Sequence, residues 1–555
     1  MTEPAPSAGR ARRRVGVGLR VRRAGGIALS VLAGALVWVA LTAPEAAALT
    51  RPSAFLRVPV EGLVLGALVL AVPRRTGRWV RRWVLPPVGV LLAVLLLVRA
   101  LDIAFRDVFY RPFNLLSDWR YASSGFELAS DASGQVVAVL AAVGVGLALV
   151  GVLVAVPLAL RRLAGVGDRH RTAARRVLVA LTAVWVVAAV SRVALAPGLP
   201  VAASSTVALA DAQARKAVHD AQDHAVFATA IATDPLAGAD TSGMLGALRG
   251  KDVVVVFVES YGKVALGAPV VDRSLSTGTK ALAAQGYSVR SAWLTSPTFG
   301  GFSWLAHSSI QSGLWVDSQQ RYDQLVTTHR LTLSHVFAGA GYRTVDVVPA
   351  NRHDWPEGRD FYGYDKVWDA RTLGYRGPGF GYAPMPDQYT LSALDRLELA
   401  PSPRPPVFAE VDLVTSHIPW APLPRLVDWP SLGDGSVFRA QVGRATPREV
   451  VWRTDAGVRD AYAQTVAYSL DSVVSWLSHT RDRNLVVLVL GDHQPASVVS
   501  GDNASHDVPV ALLTRDATVG SRVDAWGWHD GLRPDAAAPV WPMSAVRDRI
   551  LGSFR

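Results

Sequence analysis

Hydrophobic and polar positions divide the chain into two regimes. Long apolar segments near 27–43, 54–73, 83–101, 135–160 and 177–196 fill its first part. Each is close to the ~20 residues a helix needs to cross a bilayer, so the pattern predicts five membrane-spanning helices. Beyond them an Ala- and Asp-rich stretch near 203–248 reads as a helical linker. The pattern then changes to short runs. Val253–Val258 and Leu485–Leu490 are apolar at every position, as in parallel strands buried on both faces. A helical run near 331–340, strands at Thr344–Val348 and Val407–Leu413, and a long amphipathic helix near 456–478 complete an α/β alternation. The organisation read from this is a basic tail (1–26), a transmembrane α-helical bundle (27–196), a helical linker (197–250) and a C-terminal α/β domain (251–555).

Charge orients this arrangement. The formal net charge is +12, but the arginines form short clusters between the apolar segments. That distribution signals topology and argues against nucleic acid as a partner. Arg10 to Arg23, Arg74 to Arg82 and Arg161 to Arg176 all fall on one side of a five-span bundle, which the positive-inside rule places in the cytoplasm. The N-terminus is then inside and the α/β domain outside. Reading the first segment as a cleaved signal peptide, with Ala-rich residues 43–49 after it, leaves the domain outside as well. The second span carries Arg57 and Glu61, at a cost of ~2.5–3.5 kcal/mol each within a bilayer. Between the third and fourth spans Phe105, Phe109, Tyr110, Phe113, Trp119, Tyr121 and Phe126 make an aromatic loop suited to the headgroup layer. The chain has no cysteine, which excludes disulfides, thiol catalysis and cysteine-ligated zinc.

Candidate chemistry lies at the ends of the apolar runs. Val258 is followed by Glu259, and Leu490 by Gly491-Asp492-His493, so both strands deliver acids to the edge where open α/β sheets bind ligands. Ser296-Pro297-Thr298-Phe299-Gly300-Gly301-Phe302-Ser303-Trp304 is a glycine-rich turn leading into a short helix through Gly313. Its Ser303 is placed either to cap that helix or to attack a substrate. Two carboxylates, an imidazole and a hydroxyl suit one divalent cation, with Mn²⁺ favoured and Zn²⁺ or Mg²⁺ as alternatives. A metal-bound Ser303 alkoxide would attack phosphorus and form a covalent phosphoserine. His506, before Asp507-Val508-Pro509, is a further candidate for approach from a neighbouring strand, with turn filler as the alternative.

These residues together resemble the alkaline phosphatase and sulfatase superfamily, and within it the lipoteichoic acid synthase type of membrane-anchored enzyme. Phe299-Gly300-Gly301-Phe302-Ser303 through Ser312-Gly313 is similar to that family's Phe-Gly-Gly-Gly-Thr segment ending in Thr-Gly. Glu259-Ser260 is similar to its metal-binding Glu-Ser, and Gly491-Asp492-His493 to its Gly-Asp-His. Two departures stand out: Ser303 replaces a threonine, and His307 replaces a glutamate. The resemblance implies substrate-binding roles for Trp355 and Arg359, at a longer spacing than the family's, and for His417 in Ser416-His417-Ile418-Pro419. It implies a phosphotransferase or phosphodiesterase of the cell envelope. An outward domain away from ATP takes a membrane phospholipid such as phosphatidylglycerol as donor, and an alcohol, a polymer or water as acceptor. Arginine outnumbering lysine, with much alanine and valine, suits a GC-rich bacterium and its plasma membrane. A true sulfatase is disfavoured because no Cys/Ser-x-Pro-x-Arg motif is present. A non-catalytic envelope-binding relative is disfavoured because the metal-ligand set is retained.

Overall fold

The computed structural model describes residues 8–44, 51–109, 112–115, 118–122, 125–126, 130, 134–480, 482–501 and 504–555. Tyr110 of the aromatic loop and residues 45–50 lie outside that set. The chain forms two compact units that divide between Ala221 and Gln222.

The first unit is a bundle of helices, apolar for the most part except for the arginine-rich α3: α1 (Ala8–Thr42), α2 (Val60–Ala71), α3 (Arg74–Trp83), α4 (Leu85–Phe109), α5 (Gln135–Arg169) and α6 (Arg171–Val190). Among the described residues four helical stretches are long and apolar enough to cross a membrane: Ala24–Thr42, Thr76–Arg106, Gln135–Arg169 and Arg171–Val190. Where the second span is expected, a short 3₁₀ turn at Pro52–Leu56 precedes the 12-residue α2. At 1.5 Å per residue such a helix covers about 18 Å of the ~30 Å apolar layer. Proline explains the break, since Pro59 caps α2 in an extended conformation. The two charges in this segment are both bonded. Arg57 is buried and donates to the carbonyls of Ala54 and Thr42 at 3.0 and 2.7 Å, and Glu61 accepts from Val207 N at 2.9 Å.

Ala33, Val37, Ala40 and Leu41 of α1 share a buried core with Leu92 and Ala93 of α4 and Val156, Ala159 and Leu160 of α5. Small residues let these helices approach closely, as is usual in lipid. Gly89 is required by that approach, because a Cβ there would lie 2.6 Å from Cα of Pro157. The other faces of α5 expose Val136, Val137, Leu140, Val143 and Leu147, giving an apolar surface that a bilayer solvates and water does not. In the described part of the aromatic segment Phe113 is buried, its ring 4.9 Å from Phe105 and 5.4 Å from Trp119.

A helix α7 (Ser205–Ala232) crosses the division between the units. Its later part packs into the second unit, where Asp223 pairs with Arg321 at 2.5 Å and Arg330 takes the carbonyls of Ala230, Ile231 and Thr233. The second unit is built on one nine-stranded sheet. Its strands are β1 (Val253–Val258), β2 (Ser288–Thr295), β3 (Arg343–Val348), β4 (Lys366–Asp369), β5 (Val407–Leu413), β6 (Val486–Gly491), β7 (Asp507–Thr514), β8 (His529–Asp530) and β9 (Val540–Pro542). In space the order is β8-β2-β7-β6-β1-β5-β3-β4, with β9 also on β2. The centre, β6-β1-β5-β3-β4, is parallel, while β7 pairs antiparallel with β6 and β2, so the sheet is mixed. Every residue of β1 and β6 is buried, as their unbroken apolar runs require. The long helix Asp455–His479 and α8 (Pro269–Ala283) pack against each other beside this sheet.

Candidate active site

Because β1 and β6 are adjacent and in parallel register, Val258 pairs with Gly491 and their next residues emerge side by side. Glu259, Asp492 and His493 therefore meet, with one ligand atom from each lying within 4.8 Å of the others. Nε2 of His493 is 3.5 Å from Oε1 of Glu259 and 3.4 Å from Oδ2 of Asp492. Nδ1 of the same ring lies 2.9 Å from the carbonyl of Gln494, an acceptor, which assigns a proton to Nδ1 and leaves Nε2 facing the two carboxylates. Asp492 is fixed through Oδ1, which accepts the backbone N–H groups of Ser260 and His493, both at 2.7 Å. Ser260 donates its hydroxyl to Oε1 of Glu259 at 2.7 Å.

Ser303 arrives from the other direction, as the first residue of α9 (Ser303–Ser312). The turn before it holds three successive positive φ angles: Gly300 at 70°, Gly301 at 153° and Phe302 at 61°. Two glycines make this cheap, but a buried phenylalanine in the left-handed region is strained, typically by ~1–3 kcal/mol. Ser296 anchors the turn by donating to the carbonyl of Asp492 at 2.6 Å, and Gly300 N donates to the carbonyl of Gln494 at 3.0 Å. The result sets Ser303 Oγ 3.2 Å from Oε2 of Glu259 and 3.3 Å from Nε2 of His493.

Electrostatics in this group oppose an arrangement of bare side chains. Burial, together with the negative charge of Glu259, pushes the Asp492 carboxyl up to about 6. For Glu259 burial works upward too, but the charges of His493 and His417 outweigh it and bring it below the usual range. Two buried carboxylates, an imidazole with its Nε2 facing them and a hydroxyl are a donor set that a divalent cation would satisfy once the ring is neutral. Glu259, Asp492, His493 and Ser303 are the residues that would hold it.

The remaining candidates are placed differently. His417 follows β5 and stacks on Tyr382, with ring centroids 3.6 Å apart, and its charge is felt by Glu259. Tyr382 is 44% exposed, so this stacked pair reaches the protein surface near Glu259. His506 precedes β7, its Nδ1 3.1 Å from the carbonyl of Ser296 and its ring 5.5 Å from Phe299, so it flanks the serine turn. Trp355 packs against Tyr362 at 5.3 Å and fills the space that a side chain on Gly358 would occupy. Arg359 is 76% exposed and bonded to Asp360 at 3.0 Å. Among the described residues no contact joins Arg359 to the ligand group.

One cluster escaped the sequence reading. His307 on α9 lies flat on Phe257 of β1, 3.7 Å between centroids, with Nδ1 2.6 Å from Oε1 of Glu410 and 3.7 Å from Oδ1 of Asp412. Burial alone would lower this imidazole, but Asp412 and Glu410 outweigh it and hold it at about 10. The signal was present in Val407-Phe-Ala-Glu-Val-Asp-Leu413, where acids at two alternate positions interrupt an otherwise apolar strand.

No family model matches the chain, and no curated protein matches it. Solved structures do. The chain is similar to the integral membrane lipooligosaccharide phosphoethanolamine transferase A of Neisseria meningitidis, at 14% identity and TM-score 0.39, over 90% of this chain and 87% of that one. It is similar to the lipoteichoic acid synthase LtaP of Listeria monocytogenes at 14% identity and TM-score 0.38, over 56% of this chain and 74% of that one. The Streptococcus pyogenes phosphoglycerol transferase GacH is similar at 12% identity and TM-score 0.35, over 60% and 91%. Likenesses at this level leave the reading of function to the side chains themselves.

Proposed function

We propose that this chain is a membrane-anchored, metal-dependent phosphotransferase or phosphodiesterase that works through a phosphorylated Ser303. The observation that carries the reading is the convergence of Ser303 Oγ with Glu259 and His493 at 3.2 and 3.3 Å, on the ligand-binding edge of a sheet joined to apolar helices. A divalent cation, with Mn²⁺ favoured over Zn²⁺ or Mg²⁺, would supply Lewis acidity and lower the pKa of the serine hydroxyl. Ser303 Oγ then bonds to phosphorus as the donor's ester P–O bond breaks, and the donor's alcohol leaves with a proton. An acceptor hydroxyl or water next attacks phosphorus, the Ser303 Oγ–P bond breaks, and the serine recovers its proton. Because Ser303 is the first residue of α9, the positive end of that helix would favour negative charge on the phosphoryl oxygens. His417, stacked on Tyr382, is suited to hold the substrate or exchange the acceptor's proton, with Trp355, Arg359 and His506 as outlying substrate contacts.

The arginine clusters favour a cytoplasmic N-terminus and an extracytoplasmic catalytic unit in a bacterial plasma membrane. In that setting a phospholipid headgroup is the available phosphoryl donor and an envelope alcohol or polymer the natural acceptor. The test is mass spectrometry of the full chain in detergent, loaded with Mn²⁺ and incubated with phosphatidylglycerol or phosphatidylethanolamine. The expected result is a phosphoglycerol or phosphoethanolamine adduct on Ser303. Turnover of either lipid by Ser303→Ala at the wild-type rate would overturn the reading.

A further inference from the structure

The reaction outlined above leaves His307 unused, although it lies on α9 one turn after Ser303. Side chains on a helix lean toward the preceding turn, so from this position the ring leans back toward the nucleophile. Its support is built in detail. Glu410, which holds Nδ1 through Oε1, is itself fixed at Oε2 by Gln311 Nε2 at 2.5 Å and Tyr364 OH at 3.0 Å. Asp412 stands two residues further along β5, and Asp346 sits beside Glu410 in register on β3, 2% exposed, with its Oδ1 unpartnered. Phe257 beneath the ring is two residues before Glu259, about 7 Å along the strand. Nε2 has no protein partner among the described residues, and the side chain keeps 13% of its surface open.

Resting on the phosphoryl-transfer reading, we propose that His307 is a substrate-contacting residue, an imidazolium anchored by Glu410 and Asp412 whose Nε2–H donates to a non-bridging oxygen of the phosphoryl group that Ser303 attacks. The need for such a donor follows from charge. Glu259 and Asp492 would neutralise a divalent cation, yet the phosphoryl oxygens gather negative charge as the bond to Ser303 forms. Arg359, for which the resemblance implies a substrate-binding role, is exposed and bonded to Asp360. His307 is instead within electrostatic reach of the ligand group, since its charge acts on both Asp492 and His493. The acids and the base that face it are Glu410 and Asp412 on β5, Asp346 on β3, and Asp492 and His493 after β6.

The experiment uses the full chain in detergent with Mn²⁺, bis-p-nitrophenyl phosphate as substrate and inorganic phosphate as binding probe. His307→Gln should lower kcat/KM about 100-fold, the usual effect of removing one such donor, and weaken phosphate binding about tenfold, with metal content unchanged. His307→Lys should recover at least about tenfold of the lost activity, because it restores a cation. Glu410→Gln should add a new loss of activity as pH rises from 6 to 9, where wild type stays level, because the imidazole gives up its proton once its partner is neutral. Activity and phosphate affinity of His307→Gln within threefold of wild type would overturn the proposal. Equal losses in the Gln and Lys variants with metal also lost would do the same, by assigning His307 to packing alone. Should wild type neither cleave the diester nor form a Ser303 adduct, the transfer reading fails, and the phosphate affinities of wild type and His307→Gln still decide the charge.

Discussion

Nε2 of His493 lies 3.3 Å from Oγ of Ser303, although 190 residues separate them. Each is brought there by a different element, the imidazole by the end of β6 and the hydroxyl by the start of α9. Their meeting is fixed by the hydrogen bond from Ser296 to the carbonyl of Asp492.

If that meeting point is a metal site, Glu259→Ala and Asp492→Ala should each lose most bound metal. Loss of a direct ligand should exceed the ~10–100-fold weakening typical of outer partners. Elemental analysis of the purified variants checks it, with circular dichroism to show that the fold is kept. Full metal occupancy in both would place the ion elsewhere.

The backbone at Gly491 offers a stability test. A Cβ there would lie 1.9 Å from the carbonyl oxygen of Tyr261, a backbone atom that cannot swing aside. Gly491→Ala should therefore destabilise the sheet unit by on the order of 3 kcal/mol and displace Asp492 with it. Urea unfolding followed by tryptophan fluorescence measures the first effect, and metal content the second. A variant as stable as wild type would show that β1 and β6 part more easily than their register implies.

Asp387 predicts a pH dependence of stability. It is fully buried at the start of α10 (Asp387–Leu394), accepting from Thr415 N at 2.9 Å and from Ser469 Oγ at 2.6 Å. Ser469 belongs to α11 (Asp455–His479), so this carboxyl ties that helix to the loop carrying His417. Burial raises it to about 6, against the opposing pull of those hydrogen bonds. Between about pH 4 and pH 6 the folded protein then holds the proton more than the unfolded chain does. The contribution of Asp387 to stability must fall as pH rises through that window, by up to about 3 kcal/mol. Asp387→Asn should flatten this part of the stability profile, since the amide oxygen keeps the Thr415 bond while Ser469 donates to the carbonyl of Thr465 instead, 3.2 Å away. An unchanged slope between pH 4 and 6 would assign it to other acids.

Legibility in the sequence followed the environment of each element. β1 and β6 were readable because a parallel strand covered on both faces must be apolar throughout, so the acids after them stood out as strand ends, and β5 was readable from its remaining apolar positions despite two acids. β2 was not. Its Ser288, Arg290, Ser291 and Thr295 break the apolar run, because β2 lies toward the antiparallel side of the sheet, with Arg290 pairing to Asp524 and Asp530. The Glu410 and His307 pair was hidden for another reason: buried charges are expected at strand ends, and these lie within a strand and a helix. In the membrane unit, hydropathy marked the segment near 54–73 without revealing that prolines cut it to the 12 residues of α2.

The final test separates a covalent route from direct attack by water. Ser303→Ala leaves Glu259, Asp492 and His493 in place, so metal binding and the fold should persist. Turnover of a phosphodiester should nonetheless fall by on the order of 10⁴-fold or more, because no other hydroxyl is shown within reach of His493 Nε2 among the described residues. Ser303→Thr keeps the attacking oxygen and adds one methyl group at a half-buried position, and should stay within roughly tenfold of wild type, about 1.4 kcal/mol in barrier height. Water attack makes the opposite forecast, with the alanine variant active and the threonine variant hindered by its methyl group. Rates measured at equal metal occupancy for the three proteins decide between the two routes, and an active alanine variant would remove the covalent intermediate while leaving the metal site intact.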